Sequence, residues 1–333
     1  MSARDPHGPG FSLGPTEAVY RAEGEGEAWG EGELLPWGPL RLDPAAACLS
    51  YGLGVFEGLK AQRGVDGGLR LFRPADNAAR FGRSAAQLLM PPFPAPRFVD
   101  AVARVVRANA AHAPPAGTGA LYVRPIQIAS EPRLGAGPCQ RVTVSIYASP
   151  VGAYFAGDDG LRLRALRQAR VPAGGCGSAK AMGNYAGCLA TVHSFRARGY
   201  DDVLFLDAAE RRLVTETSGA NVFARLGDGP LVTPPLDDQV LPGITRDSVI
   251  RIAREVLDLE VEERPLALDE VLGGASELFC TGTAYTVRPA RELSFEDREL
   301  RLPSRATADA LRELLLGIQL GDGEDPFGWT VEL

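Results

Sequence analysis

Hydrophobic and polar positions in the first 150 residues follow two periods, that of strands and that of helices. Residues 59–72 carry two short apolar runs around a Gly- and Asp-rich turn, which predicts a β-hairpin. Helical spacing follows from Pro74 to about residue 90, and again over about 97–112. Two alternating runs, 120–129 and 141–149, predict strands. The pattern therefore predicts an α+β unit that ends near residue 150.

The second half of the chain carries shorter apolar runs, most of them with the alternation of strands. A Gly-rich stretch over 151–160 predicts a linker. Strands are predicted at 161–167, 202–206, 212–217, 221–226, 231–233, 277–280 and 285–288, and helices at about 183–198, 245–258 and 304–317. We therefore expect a small α+β domain over 1–150 and a larger domain over 161–333.

Composition excludes several classes of function. The net charge is -7 and no basic face is evident, which argues against a nucleic-acid-binding protein. No apolar run reaches the roughly 18–20 residues that span a bilayer. The start of the chain lacks the apolar stretch of a secretory signal, so we expect a cytoplasmic protein. Five widely spaced cysteines and three histidines predict neither a disulfide framework nor a metal site.

The basic residues are unusual, because only two of the 35 are lysines, Lys60 and Lys180. A lysine kept in an arginine-rich chain is a candidate for chemistry that a guanidinium cannot perform, such as nucleophilic attack by an amine. Lys60 lies on the predicted hairpin among polar residues and is interpreted as solvated. Lys180 lies in Cys-Gly-Ser-Ala-Lys-Ala-Met-Gly, where small residues allow close approach of a ligand. Lys180 is therefore the predicted nucleophile.

Three further stretches carry candidate chemistry. Leu-Pro-Gly-Ile-Thr at 241–245 leads into a predicted helix, whose first N–H groups can bind an anion, although a plain N-cap is the alternative. The small residues at 281–284 form a second possible anion site. Glu216, in a β-branched strand, is either a solvent-facing edge residue or a half-buried carboxylate that needs a partner. An amine, an acid and two anion sites together suit pyridoxal phosphate.

The ordered motifs carry a resemblance. From about Leu49 to the C-terminus the chain resembles the class IV, or fold type IV, pyridoxal-phosphate aminotransferases, and most of all the branched-chain amino acid aminotransferases. The motifs are YGLGVFEG at 51–58, LFRP at 71–74 with Arg80, YVRP at 122–125, KAMGNY at 180–185, Glu216, LPGITRD at 241–247 and GTA at 282–284. The resemblance implies an α+β fold of two domains, the larger a β-rich pseudo-barrel that binds the cofactor.

The same resemblance implies roles for individual residues. Lys180 would form the Schiff base with pyridoxal phosphate and move the proton at Cα. Glu216 would hold the pyridine nitrogen protonated, and Tyr185 would donate a hydrogen bond to the phenolic oxygen. The phosphate would be bound by Arg80, Gly243, Ile244, Thr245 and Thr283.

For the substrate, the resemblance implies one pocket that accepts both an apolar side chain and a carboxylate. Leucine, isoleucine or valine would contact Tyr51, Phe56 and Tyr154. Their α-carboxylate would contact Tyr122 and the backbone amides of Thr283 and Ala284. Arg124 would bind the second carboxylate of the amino acceptor, 2-oxoglutarate. Some relatives carry a CxxC thiol switch after GTA, but this chain has Tyr285 and Arg288 there, so we expect no such switch.

The residues are also compatible with other functions. The closest are D-amino acid transamination and aminodeoxychorismate cleavage, two other class IV activities. A cofactor-free Schiff-base lyase that uses Lys180 and a non-catalytic small-ligand-binding module are further alternatives. The resemblance implies at least a homodimer, in which the loop around 131–138 reaches the partner's site. The ranking of leucine, isoleucine and valine, and the direction of the reaction, do not follow from the sequence.

Overall fold

A computed structural model describes residues 10–152, 154–155, 157 and 159–333. Its strands are β1 (Ala18–Glu25), β2 (Ala28–Trp29), β3 (Glu33–Pro36), β4 (Gly54–Phe56), β5 (Leu59–Arg63), β6 (Leu69–Phe72), β7 (Ala120–Ala129), β8 (Arg141–Val151), β9 (Leu161–Ala165), β10 (Asp202–Leu206), β11 (Val214–Thr217), β12 (Asn221–Leu226), β13 (Leu231–Thr233), β14 (Val261–Glu263), β15 (Ala275–Gly282), β16 (Thr286–Phe295), β17 (Arg298–Arg301) and β18 (Thr330–Glu332). Its α-helices are α1 (Ala47–Tyr51), α2 (Pro74–Gln87), α3 (Ala95–Ala108), α4 (Gly183–Ala186), α5 (Leu189–Arg196), α6 (Ile244–Glu255), α7 (Leu268–Gly274) and α8 (Ala306–Leu320).

The described residues form two units. The first comprises those within Met1–Ala156, Ala179–Gly183 and Gly317–Leu333, and the second comprises those within Gly157–Ser178 and Asn184–Leu316. The chain passes from one to the other inside the predicted linker. It then returns twice, because Ala181 pairs with Val55 and β18 pairs with β6. The sequence predicts a single linker and therefore neither of these returns. The division into domains over 1–150 and 161–333 stays a prediction.

The first unit is built on one sheet. Its strand order is β18-β6-β5-β7-β8-β1-β2, with β3 on β1 and β4 on β7. The predicted hairpin is confirmed, since β5 and β6 are antiparallel with Ala61 opposite Leu71. The helices α2 and α3 bury Phe81, Phe98 and Val102 in a core that also contains strand residues such as Ile146. This packing explains the helical spacing of apolar residues seen in the sequence.

The second unit contains a closed ring of strands. The order β11-β10-β9-β16-β15-β12 returns to β11, because Glu216 pairs with Asn221. Strands β13 and β14 continue from β12, and β17 pairs with β16. Closure removes the exposed edges of the sheet. Phe223 and Phe279, both fully buried, stack with ring centroids 5.2 Å apart. The α+β class and the β-rich pseudo-barrel expected from the resemblance are confirmed.

The structure also differs from the sequence prediction in particular elements. The helix predicted over 183–198 is divided into α4 and α5, with Gly187 and Cys188 between them. The Gly- and Glu-rich segment near the start of the chain contains the hairpin of β1 and β2, which is absent from the predicted elements. Strand β1 also pairs with β8 over six residue pairs, Tyr20 to Glu25. A strand paired inside a sheet is stabilised by partners remote in sequence, so local composition underestimates it.

Candidate active site

The backbone of Lys180 is fixed on both sides within the first unit. Its carbonyl accepts a hydrogen bond from the N–H of Phe56 at 3.1 Å, and its own N–H donates to Ser84 Oγ at 3.0 Å. The N–H of Met182 donates to the carbonyl of Gly54 at 2.9 Å. Residues 180–182 therefore lie along β4 as an added strand, although they are remote from it in sequence. A Cβ on Gly54 would lie 2.7 Å from the sulfur of Met182, so a larger residue would require the Met182 side chain to move.

The side chain of Lys180 is half-buried and lies beside an aromatic ring. Its Nζ is 4.8 Å from the ring centroid of Phe56, and the guanidinium carbon of Arg124 is 4.8 Å from the same centroid. Arg124 Nη2 also donates to the hydroxyl of Tyr122 at 3.1 Å. The structure thus brings together four predicted site residues, Lys180, Phe56, Tyr122 and Arg124. An amine, a cation and an apolar ring share one small region.

Neighbouring residues set the position of the Tyr122 ring. A Cβ on Gly58 would lie 2.0 Å from the Tyr122 hydroxyl oxygen, so glycine is required there. The ring of Phe11 lies 5.0 Å from that of Tyr122 and 4.9 Å from that of Tyr154. The predicted substrate residues Tyr122 and Tyr154 therefore share one aromatic neighbour. Tyr51, in contrast, is 41% exposed and donates its hydroxyl to the carbonyl of Leu134.

Arg80 and Glu57 form a buried, two-pronged ion pair. Arg80 Nε donates to Glu57 Oε1 at 2.7 Å, and Nη2 donates to Oε2 at 2.8 Å. Glu57 is fully buried and Arg80 is 4% exposed. Arg80 lies one helical turn before Ser84 on α2, so the same face of the helix also carries the residue that holds the Lys180 backbone. Glu57 thus occupies one edge of the guanidinium and fixes its orientation.

In the second unit, Glu216 is buried and paired. It is 4% exposed, its carboxylate forms an ion pair with Arg170, and its Oε2 accepts from the N–H of Leu241 at 3.4 Å. Arg170 also lies with its guanidinium carbon 5.9 Å from the ring centroid of Tyr185. The solvent-facing alternative for Glu216 is therefore wrong, since its strand lies within the closed ring. Arg170 contacts both of the residues predicted to bind the pyridine ring.

The two predicted anion sites both lie in the second unit. Helix α6 begins at Ile244 with Gly243 as its N-cap, so Thr245 is inside the first turn and not the cap. A Cβ on Gly243 would lie 2.0 Å from Asn221 Oδ1, and Asn221 Nδ2 donates to the carbonyl of Leu241 at 2.9 Å. Asn221 thus braces the backbone before the helix.

The second site is the turn between β15 and β16. Gly282 pairs with Thr286, which leaves the half-buried Thr283 and Ala284 on the turn. Just before it, the buried hydroxyl of Thr281 has no hydrogen-bond partner among the described residues. A polar atom left in this state lowers stability unless a ligand or water compensates.

Several residues of these clusters were not singled out in the sequence, among them Ser84, Asn221, Glu57, Arg170 and Phe11. Glu57 lies inside the quoted YGLGVFEG motif, and its position beside Phe56 could have drawn attention to it. Arg170 had no such indication, because arginine replaces lysine almost everywhere in this chain. Phe11 is remote in sequence from Tyr122, so only the fold reveals their contact.

Comparison with known proteins supports the resemblance found in the sequence. Residues 54–293 match the family described as amino-transferase class IV. The chain is 39% identical over 328 residues to branched-chain-amino-acid aminotransferase 6 of Arabidopsis thaliana, covering 97% of this chain and 91% of that protein. It is 40% identical to the branched-chain-amino-acid aminotransferase of Mycolicibacterium smegmatis, covering 92% and 87%. It is also 39% identical to a methionine aminotransferase of Arabidopsis thaliana, covering 97% and 92%.

Solved structures agree with the sequence relatives. The branched-chain aminotransferase of Thermoproteus uzoniensis with norvaline has a TM-score of 0.81 at 30% identity, covering 95% of this chain and 99% of that one. The T.th. branched-chain amino acid aminotransferase complexed with N-(5'-phosphopyridoxyl)-L-glutamate has a TM-score of 0.77 at 30% identity, covering 96% and 99%. The enzyme of Thermobaculum terrenum in its pyridoxal-phosphate form has a TM-score of 0.80 at 26% identity, covering 96% and 98%.

Location in the cell stays a prediction. Within the described part of the chain, every helix is too short or too polar to cross a membrane. Relatives at about 40% identity include mitochondrial and chloroplastic proteins. The family is shown by matches that cover nearly the whole chain, and the chain belongs to the class IV aminotransferases, in the branched-chain amino acid aminotransferase family.

Proposed function

We propose that the protein exchanges the amino group between branched-chain L-amino acids and 2-oxoglutarate, with pyridoxal phosphate as cofactor and Lys180 as its amine. The observation that carries this proposal is the cluster of Lys180, Phe56 and Arg124, in which an amine and a guanidinium lie at one aromatic ring. A ring suits the apolar side chain of leucine, and a guanidinium suits the second carboxylate of the acceptor.

The residues fit pyridoxal phosphate. The buried Glu216 supplies a carboxylate for a protonated ring nitrogen, and Arg170 keeps a positive charge beside it. The start of α6, a helix of 12 residues, and the turn at Thr283 supply donors for a phosphate. The unpartnered hydroxyl of Thr281 beside that turn is a donor that a bound group would satisfy. Two solved relatives carry this cofactor or its derivative, which supports the same choice here.

Each residue then has a defined task in the reaction. Pyridoxal phosphate supplies an aldehyde that binds amines and a ring that accepts the electron pair released at Cα. Lys180 Nζ would take the proton from the substrate Cα and deliver it to the cofactor carbon that carried the aldehyde, and would move it in the opposite direction when the acceptor is aminated. The hydrogen bond to Ser84 and the pairing with β4 hold the Lys180 backbone, so the side chain alone has to move. Glu216 holds a proton at the pyridine nitrogen, and Tyr185 donates to the phenolic oxygen.

Kinetic comparison of L-leucine, L-methionine and D-alanine tests the function. We expect L-leucine to have the largest kcat/KM with 2-oxoglutarate, and Lys180→Ala to abolish turnover. Methionine is included because one relative is a methionine aminotransferase. Lys60→Ala is the matched control, since Lys60 is the other lysine of the chain. Because Lys60 lies opposite Tyr122 in the sheet, we expect this variant to change KM at most and to retain turnover. A preference for D-alanine would contradict the proposal.

A homodimer is part of the proposal. The loop over 131–138 exposes Leu134 to 94%, and the nearby Tyr51, whose hydroxyl contacts this residue, is 41% exposed. Large apolar side chains exposed together are typical of surfaces that a partner covers. Light scattering of the purified protein should give twice the chain mass or a multiple of it. A monomer at micromolar concentration would contradict this part.

A further inference from the structure

The turn that follows β15 is tied to the interior of the second unit by a side chain without a role in the reaction described above. Tyr285, the third residue of this turn, donates its hydroxyl to Asp202 Oδ2 at 2.7 Å. Tyr285 is 8% exposed and Asp202 is 1% exposed. The other carboxylate oxygen of Asp202 accepts from the N–H of Val203 at 2.8 Å. The hydrogen bond therefore joins the turn to the first residue of β10 in the barrel.

A buried carboxylate is costly and needs hydrogen bonds that compensate its loss of water. Asp202 lies close enough to Cys280 for its negative charge to act on that thiol. The pKa of the Cys280 thiol is well above its usual value because of burial, and the negative charge of Asp202 adds to this effect. Truncating the donor of such a group leaves a buried charge with fewer partners, which has larger effects than losing a surface contact. The Tyr285–Asp202 contact is thus a strong restraint on the turn.

The backbone of the turn needs such a restraint. Thr286 has a φ of 58°, a left-handed conformation that is unfavourable for a β-branched residue. Thr286 is the first residue of β16, directly after the three-residue turn, and this conformation is usually adopted by glycine. Strained residues persist where surrounding contacts determine them. Tyr285, directly before Thr286, supplies the contact on this side of the turn.

We propose that Tyr285, through Asp202, is a positioning residue that holds the Thr283–Ala284 backbone in the shape that binds the substrate carboxylate and the cofactor phosphate. This inference rests on the proposed function, which assigns these two anions to the turn. The Tyr285 hydroxyl is directed to Asp202, so its proposed effect on the two anions is indirect. Its effect is to keep the amide groups of the turn oriented before the ligands arrive, which lowers the entropy lost on binding.

The test compares Tyr285→Phe with Tyr20→Phe. Both remove the hydroxyl of a buried tyrosine, and Tyr20 donates to the carbonyl of Glu31 at 3.3 Å in the first unit. We expect Tyr285→Phe to raise the KM for L-leucine by about tenfold while kcat stays within about twofold, since a hydrogen bond to a charged group has this scale of effect. The dissociation constant of pyridoxal phosphate should rise in the same variant. Tyr20→Phe should lower the melting temperature but leave the KM for L-leucine and the dissociation constant of pyridoxal phosphate unchanged.

A second variant guards against loss of folding. Asp202→Asn keeps the size of the side chain and one oxygen that accepts from Tyr285, but its NH2 group then faces the N–H of Val203. It should therefore lower the melting temperature and still retain most of the affinity for both ligands. If Tyr285→Phe lowers the melting temperature but leaves KM and the cofactor constant unchanged, the role is only structural and the inference is wrong. If the wild-type protein does not use L-leucine, the proposed function fails. In that case the dissociation constant of pyridoxal phosphate for Tyr285→Phe alone decides the inference. A constant equal to that of the wild-type protein would overturn it.

Discussion

Replacing Glu57 by Gln tests whether the buried pair with Arg80 organises the first unit. Glu57→Gln preserves the shape of the side chain but removes its charge. One of its two contacts with Arg80 becomes an N–H facing an N–H, where the structure has hydrogen bonds of 2.7 and 2.8 Å. Both side chains are at most 5% exposed, so water cannot replace the lost partner. The guanidinium is left as a buried charge with incomplete compensation.

The expected magnitude follows from this burial. Breaking one side of a buried ion pair costs about 3 kcal/mol of unfolding free energy, at the lower end of measured values. For a unit of this size that corresponds to a fall of about 6–12 °C in melting temperature. Arg80 would also lose its orientation, so the affinity for pyridoxal phosphate should fall by about tenfold, or 1.4 kcal/mol.

A surface pair on the neighbouring helix α3 provides the control. Arg104 Nη1 and Asp100 Oδ2 are 3.9 Å apart, and their side chains are 36% and 65% exposed. Exposed pairs contribute about 0–1 kcal/mol, so Asp100→Asn should change the melting temperature by only a few degrees and leave cofactor affinity intact. Thermal unfolding and cofactor titration of both variants measure the difference. Equal melting temperatures and equal cofactor affinity for Glu57→Gln and Asp100→Asn would contradict the role of the buried pair.

Other changes have defined outcomes. Arg170→Met leaves the buried Glu216 without its cation and should lower the unfolding free energy by about 3 kcal/mol and shift the cofactor absorption band, whereas Arg170→Lys should restore part of both. Burial alone raises the pKa of Asp207, but the N–H groups of three following residues hold that pKa below its usual value. A group whose folded pKa is lowered contributes stability that is fully present above its unfolded pKa of about 4 and is lost as the pH falls through the lower folded value. Asp207→Asn should therefore be destabilising at pH 7, and the difference should shrink progressively as the pH falls below about 4 in urea titrations. Because burial raises the pKa of Cys280, iodoacetamide should label that thiol only after unfolding, as mass spectrometry of native and denatured samples would reveal.

The sequence predicts well those parts of the fold whose pattern is local. The hairpin of β5 and β6 and strands β7 and β10 have the predicted bounds within a residue, because alternation and turn residues are contained in the segments themselves. Strand β1 and the short β4 depend on partners far along the chain, and neither was predicted. The break between α4 and α5 lies at Gly187, whose effect on a helix depends on the surrounding packing.

The candidate site divides in the same way. Lys180 was predicted from its rarity among basic residues and from its small neighbours, and the structure adds what holds its backbone, namely Ser84 and β4. Pairs could not be predicted, because nothing in the local sequence links Glu57 to Arg80 or Arg170 to Glu216. The fold brings these buried groups together. In each ion pair, one charge is compensated by a residue that lies far from it in the sequence.

The visible absorption spectrum of the purified protein, recorded before and after addition of L-leucine, shows whether Lys180 holds the cofactor and releases it to the substrate amine. We expect a yellow protein whose visible band disappears with L-leucine and returns with 2-oxoglutarate, because Lys180 exchanges the cofactor with the incoming amine. Borohydride reduction should bleach the protein and attach the cofactor to Lys180, as peptide mapping would show. A colourless protein after incubation with pyridoxal phosphate, or a band that L-leucine leaves unchanged, would contradict the central claim.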